Sequence, residues 1–240
     1  MRAIALARRN FMEVWRDPLS LGITIGLPIL MLLVLQAFGG VDAFFTPTML
    51  TPGIVLFGFV MLMFSTAMTL SRDRETALFS RLLTAPLKPK EFVAGYSLPY
   101  LPVAIILAAA LFVIGAFLGL EISGNAGLVV MVLLVMAVFY IALGMILGSL
   151  LPLAPLSGAY AVILLLTIFG GAWMDLAAIG GVFQTMGNVL PFAHALDAIR
   201  DVMAEGAGLG DIAPDLYWVI GYTALVAVLA VFAFKRRMLE

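Results

Sequence analysis

The chain runs to 240 residues, 64% of them hydrophobic and 11% charged, where a soluble domain carries roughly 25% charged residues. That composition excludes a soluble globular fold and indicates an integral membrane protein. Its 13 cations against 14 carboxylates leave no basic surplus of the kind that binds nucleic acid, and without cysteine it forms no disulfide.

Residues 2–17 come first. Plotted at about 100° per residue, Arg2, Arg9, Arg16 and Glu13 fall on one face, and Ala3, Ile4, Ala7, Phe11, Val14 and Trp15 on the other. The spacing predicts an amphipathic helix in the headgroup layer, anchored by Trp15; a plain basic flank that sets topology is the alternative. A cleavable signal peptide fits less well, because the apolar run that follows has about 20 residues against the usual 7–15 or so.

A bilayer core about 30 Å thick is crossed by about 20 apolar residues in a helix. Runs of that order predict six spans, at Leu19 to Phe38, Pro52 to Leu70, Phe92 to Leu120, Leu128 to Leu150, Ala159 to Trp173 and Tyr217 to Phe234. Pro155, Gly158, Gly170 and Gly171 crowd the ends of the fifth and leave it short. Span polarity is confined to hydroxyls and amides such as Thr24, Ser65, Tyr140 and Thr167. Three glycine pairs, Gly22/Gly26, Gly115/Gly119 and Gly144/Gly148, permit close helix approach within one subunit or across a dimer seam. The second span carries Phe57, Met61, Ser65 and Met68, a small-polar and methionine-rich stripe. It motivates a substrate path lined by spans one, two and five, with Thr24, Phe57, Met61, Ser65 and Thr167 on it.

Between spans two and three lies SRDRETALFSRLLTAPLKPKE, residues 71–91, with five cations and three carboxylates. Ser71 suits an N-cap, Asp73 and Glu75 suit a positive helix start, and Leu78, Phe79, Leu82 and Leu83 form a stripe that ends before Pro86 and Pro89. A short amphipathic helix across the mouth of the bundle is predicted. A basic loop resting on lipid headgroups is the alternative.

Residues 174–215 precede the last span and are not very polar. Two short helices are expected, broken by Gly180-Gly181, Gly187 and Pro191 and dipping back toward the membrane, where backbone persists only if helical or covered. Arg200 is expected to pair with Asp197 on one helix face. His194, the sole histidine, reads as structural or interfacial.

Charge partition sets the topology. Twelve of the 13 cations precede span one, join spans two and three, or follow span six. These segments share one side when the span count is even, and the positive-inside rule makes that side cytoplasmic. Both termini are therefore predicted inside a cell (inner) membrane, and Arg200 outside.

Catalysis finds little footing. No HExxH pair, GxSxG elbow or metal-ligand cluster is present, and no Lys followed by Ser or Thr closes a phosphate-binding loop. Deep ionisable residues of the kind proton-coupled pumps use are missing from the spans. A pump built on this chain takes its energy from another subunit.

Taken in order, the amphipathic helix with Arg16-Asp17-Pro18 before span one, RDRETALFSRLLTAPLKPKEF after span two and LPFAHALDAIRDVM before span six resemble the membrane subunits of type-2 ABC exporters, over nearly the whole chain. The resemblance implies an all-α membrane protein, a single transmembrane domain over 1–240. It has six transmembrane helices, an N-terminal amphipathic interfacial helix (the connecting helix, 1–17, with Arg9, Phe11, Trp15 and Arg16), a cytoplasmic coupling helix region at 71–91 and a re-entrant helical hairpin at 174–215. It further implies a dimer with a second copy or a related permease, and a cytoplasmic ATP-binding cassette ATPase that holds ATP and Mg while this chain binds no cofactor. Docking of that ATPase would fall to Arg72, Glu75, Phe79, Arg81, Leu82, Leu83 and Pro86, and the outer segment would centre on Pro191, Asp197 and Arg200. The cargo expected is an amphiphile, whether drug, lipid or lipid-linked glycan, moved outward by alternating access amid membrane lipid. A non-transporting assembly or sensory subunit using the same cytoplasmic helix is the alternative.

Overall fold

The computed structural model describes residues 2–40, 43–76, 88–174 and 176–237. Among them every regular element is helical: α1 (Arg2–Trp15), α2 (Pro18–Gln36), α3 (Pro47–Arg74), α4 (Pro89–Ser97), α5 (Tyr100–Phe117), α6 (Ala126–Leu150), α7 (Leu153–Thr167), α8 (Leu176–Ile179), α9 (Gly181–Gly187), α10 (Pro191–Arg200) and α11 (Ala213–Arg237). A short 3-10 turn, Ala43–Phe45, precedes α3, and π-turns extend α7 over Ile168–Ala172 and α10 over Asp201–Glu205. Six helical stretches are long and apolar enough to cross a membrane: α2, α3, α4 with α5, α6, α7 with its π-turn, and α11.

Local chemistry sets the starts. Proline occupies the first turn of α2, α3, α4 and α10, where its fixed φ suits a helix and its missing N–H costs nothing. Asp17 caps α2 by accepting from Ser20 N at 3.1 Å, and Asn125 caps α6 by accepting from Gly127 N at 2.8 Å. Glu91 accepts from Lys88 N at 2.9 Å. It caps the start of α4.

The third span departs from a single run. It divides at Leu98-Pro99 into α4 and α5, because Pro99 and Pro102 withhold two of the N–H groups a continuous helix needs. The fifth starts earlier than expected, at Leu153, and ends where Gly171 takes φ 96°, a left-handed conformation that suits glycine.

α3 is the most buried span, α6 the next, and glycine brings them together. A Cβ on Gly144 would stand 2.5 Å from Met63 O, and one on Gly148 2.7 Å from Ala67 O. Packing in apolar surroundings rests on such close backbone approach. Gly53 fits more tightly still, since a Cβ there would overlap Ala172 O. By contrast Gly22 and Gly26 on α2 face no described atom within 4 Å. The Gly144/Gly148 pair is thus an intrachain seam, while α2 and α7 remain the most exposed spans.

Candidate functional site

At the end of the bundle that carries α1, three helices converge on one carboxylate. Asp73, in the last turn of α3, is only 6% exposed. Arg9 donates to both its oxygens, Nη1 to Oδ2 at 3.1 Å and Nη2 to Oδ1 at 3.2 Å, and Tyr96 of α4 donates to Oδ2 at 2.5 Å. A bidentate guanidinium with a phenol is close to the full complement a carboxylate accepts. Arg9 also reaches Glu13 one turn on, at 3.2 Å. Burial works against the Arg9 charge, but the Asp73 carboxylate outweighs it, and the guanidinium pKa is raised.

The same surface is closed by packing. Leu6 of α1 lies where a Cβ on Gly95 would meet it at 2.8 Å, and Asn10, fully buried, donates from Nδ2 to Gly95 O at 3.2 Å. Arg74 turns the other way, donating from Nη1 to Gly148 O at 2.7 Å. Ser71 donates to Leu151 O at 3.1 Å. Both bonds satisfy carbonyls left open at the end of α6. The end of α3 is therefore fastened to α1, α4 and α6 at once.

Several expectations shift here. Ser71 is not the N-cap of a separate helix: α3 continues through Arg74, and Ser71 sits in its last turn bonded to Leu151. Glu75 follows directly, exposed. Phe79, Arg81, Leu82, Leu83 and Pro86 lie outside the described residues. Asp73, Tyr96 and Asn10 form the junction that spacing alone did not single out. The available signal was a carboxylate and a phenol near facing span ends beside an amphipathic arginine helix.

α1 is helical over Arg2–Trp15 and turns two faces to different surroundings. Leu6 and Asn10 face the bundle, while Ile4, Phe11 and Trp15 are exposed, the last two with ring centroids 5.5 Å apart. Arg9 leaves the polar face expected for it and turns inward to Asp73. Arg16 is exposed.

Beside the Asp73 junction a cleft of about 170 Å³ opens between α1, α2, α3 and α5. Glu13, Asp17 and Arg72 stand among its lining, and Leu62, Met68 and Val103 supply apolar walls. Tyr100 accepts or donates a bond with Thr69 at 2.7 Å and donates to Ser65 O at 3.2 Å. Asp17 is held below the usual carboxylate range by bonds from the Ser20 hydroxyl and backbone N–H. Of the five path residues expected, Thr24 and Ser65 meet in this cleft. Phe57 instead pairs with Trp173 at 5.2 Å, and Thr167 is buried against Tyr140, hydroxyl to hydroxyl at 2.8 Å. Met61 is half-buried on α3.

The opposite end is built on α10. Pro191 is buried at its start, and Phe192 stacks on Tyr140 with centroids 5.7 Å apart, more than halfway along α6. Arg200 donates from Nε to Met49 O at 3.1 Å and from Nη2 to Gly171 O at 3.0 Å, and lies over the Phe44 ring at 4.9 Å. These contacts tie α10 to the start of α3 and the end of α7. Asp197 sits exposed on α10, and Arg200 acts on it as a nearby charge rather than as the close partner expected. His194 bridges Asp215 through Nδ1 at 2.6 Å and donates from Nε2 to Asn188 O at 3.0 Å, stacked on Trp218 with centroids 5.3 Å apart. Its contacts pin α10 to the first turn of α11. Among the described residues no group of three His, Cys, Asp or Glu side chains is placed to hold a metal ion.

Comparison with known proteins bears on this architecture. Residues 2–204 match the family model described as ABC-2 type transporter. The Daunorubicin resistance ABC transporter permease protein DrrB1 of Streptomyces coeruleorubidus is 27% identical over 239 residues, covering 95% of this chain and 84% of that protein. ABC transporter G family member 20 of Dictyostelium discoideum is 25% identical over 164 residues, 67% of this chain. The chain spans only 22% of that second protein's length.

Proposed function

We propose, because this chain belongs to the ABC-2 type transporter family, that it is the permease subunit of an ATP-driven exporter whose ATPase is a separate chain. It is a multi-pass membrane protein with six apolar helices. The cargo is an amphiphilic or lipophilic molecule, a drug, lipid or lipid-linked glycan. The drug-resistance permease among its relatives favours a drug, and so does a span interior without deep charge. Two copies, or this chain and a related permease, form the path by alternating access. The exposed helices α2 and α7, with the half-buried strip of α3 through Met61, Ser65 and Met68, are the faces available to line it.

The observation that carries this reading is the Asp73 junction. The segment after Arg74 is where the ATPase docks, through Glu75, Phe79, Arg81, Leu82, Leu83 and Pro86, with Arg72 given instead to the neighbouring cleft. A push on that segment reaches α1, α4 and α6 through Arg9, Tyr96 and Arg74, so the spans move as one body. The basic ends of the chain face the cytoplasm of a cell (inner) membrane, α1 lies in the headgroup layer on that side, and α10 is re-entrant from the other. Contact of Phe192 with Tyr140 supports the last point.

Co-expression with a candidate ATP-binding cassette ATPase tests the assignment. Wild-type protein is expected to copurify with the ATPase and stimulate its hydrolysis, and Glu75→Ala and Leu82→Asp to lose both at unchanged membrane levels. A wild-type complex in both variants would refute docking through this segment.

A further inference from the structure

We propose that the cleft between α1, α2, α3 and α5 binds the headgroup of a phospholipid bearing a primary ammonium, a phosphatidylethanolamine. The cleft lies where such a headgroup belongs. It begins at Asp17, one residue before the α2 span, and at Arg72 in the last turn of α3. It continues down to Leu62, about 15 Å of helix rise at 1.5 Å per residue. Its mouth is charged, and its depth mixes apolar Leu62 and Val103 with the hydroxyls of Thr24, Thr69 and Tyr100.

The charges match a zwitterion. Arg72 is exposed, with the Asp17 carboxylate as a nearby opposite charge, and its guanidinium offers N–H donors of the kind that bind a phosphate in bidentate fashion. Glu13 gives one oxygen to Arg9, and Asp17 accepts from both the hydroxyl and the backbone N–H of Ser20; the second oxygen of Glu13 and the remaining lone pairs of Asp17 are left as acceptors. These two acceptors suit the three N–H donors of a primary ammonium. A choline headgroup offers them no N–H, and an anionic headgroup meets two carboxylates against one arginine.

Size points the same way. At about 30 Å³ per water, the volume of 170 Å³ corresponds to about five or six waters, enough for phosphate and ethanolamine but not for a lipid body. The acyl chains then leave the cleft past Leu21 and Phe64, apolar residues of its lining, into the surrounding lipid. A free phosphoethanolamine would carry the same two charged groups without this apolar continuation. This site does not depend on the transport assignment.

The test uses the full chain, purified in detergent and titrated with phosphatidylethanolamine, phosphatidylcholine or soluble phosphoethanolamine while bound lipid is counted by native mass spectrometry. Phosphatidylethanolamine is expected to bind at least fivefold more tightly than phosphatidylcholine, and soluble phosphoethanolamine not to compete at equal concentration. Arg72→Gln, Glu13→Gln and Asp17→Asn are expected to abolish that preference while leaving phosphatidylcholine retention unchanged, and Arg72→Gln, which touches neither the α2 cap nor the Arg9 pair, is expected also to leave thermal unfolding unchanged. Asparagine keeps the α2 cap and glutamine keeps an acceptor for Arg9, so these variants remove charge alone. Equal binding of the two lipids by wild type, a preference that survives Arg72→Gln, or equal affinity for soluble phosphoethanolamine would overturn the proposal.

Discussion

Asp73 concentrates the energetics of the charged end in one side chain. A nearly buried carboxylate deprived of its guanidinium retains its desolvation penalty without compensation. Arg9→Met is therefore expected to lower stability by about 1–3 kcal/mol, the lower part of the range because Arg9 is itself about a third exposed. Tyr96→Phe, which removes one donor, is expected to cost about 1 kcal/mol. Adding Asp73→Asn to Arg9→Met should recover part of the first loss, and thermal unfolding in detergent reads all three; strict additivity would show that the pair is not coupled. Asp201 offers the opposite case. Burial, then the nearby Glu205 and Asp215 carboxylates, raise its pKa above the usual 3.8. The folded state thus holds its proton more tightly than the unfolded state, and this contribution is fullest below the unfolded pKa and is lost as pH rises through the folded one. Asp201→Asn is expected to unfold at a higher temperature than wild type at pH 7 and to lose that advantage near pH 4. A constant difference across that window would remove the explanation.

Helix contacts divide the glycines into two kinds. Gly53 has no room for a methyl group beside Ala172 O, so Gly53→Ala is expected to cost about 1–3 kcal/mol or more by forcing α3 from α7. Gly22→Ala meets no described atom within 4 Å and is expected to stay within about 0.5 kcal/mol. Folded yield by size-exclusion chromatography separates the two; equal yields would contradict the packing. Sequence made the six spans legible because about 20 apolar residues in a row admit few other readings, and it placed α1 by its two-faced periodicity. It did not show that α3 runs on through Arg74. Ser71 and Asp73 have local chemistry suited to a helix start, and tertiary partners, Leu151 O and Arg9, override that propensity. The division at Pro99 was equally hidden inside an apolar run that reads as continuous. The inward turns of Arg9 and His194 depend on partners 64 and 21 residues away, beyond the reach of helical spacing.

At the scale of the molecule, the arrangement joins a charged, tightly fastened end to spans whose interior is apolar and whose outer helices, α2 and α7, are left open. The far end is fastened separately by Arg200 and His194. Such a body suits rigid displacement of spans in response to a force at one end, which is what an external ATPase supplies in the proposed cycle. The requirement for two chains and for ATP is the central claim, and it can be read directly in inverted membrane vesicles by following ATP-dependent accumulation of a fluorescent amphiphilic drug. Vesicles holding both this chain and its ATPase are expected to accumulate the drug only with ATP, and vesicles holding either chain alone to accumulate none. ATP-independent accumulation by this chain alone, or none by an intact, hydrolysing complex across drug and lipid probes, would contradict the account.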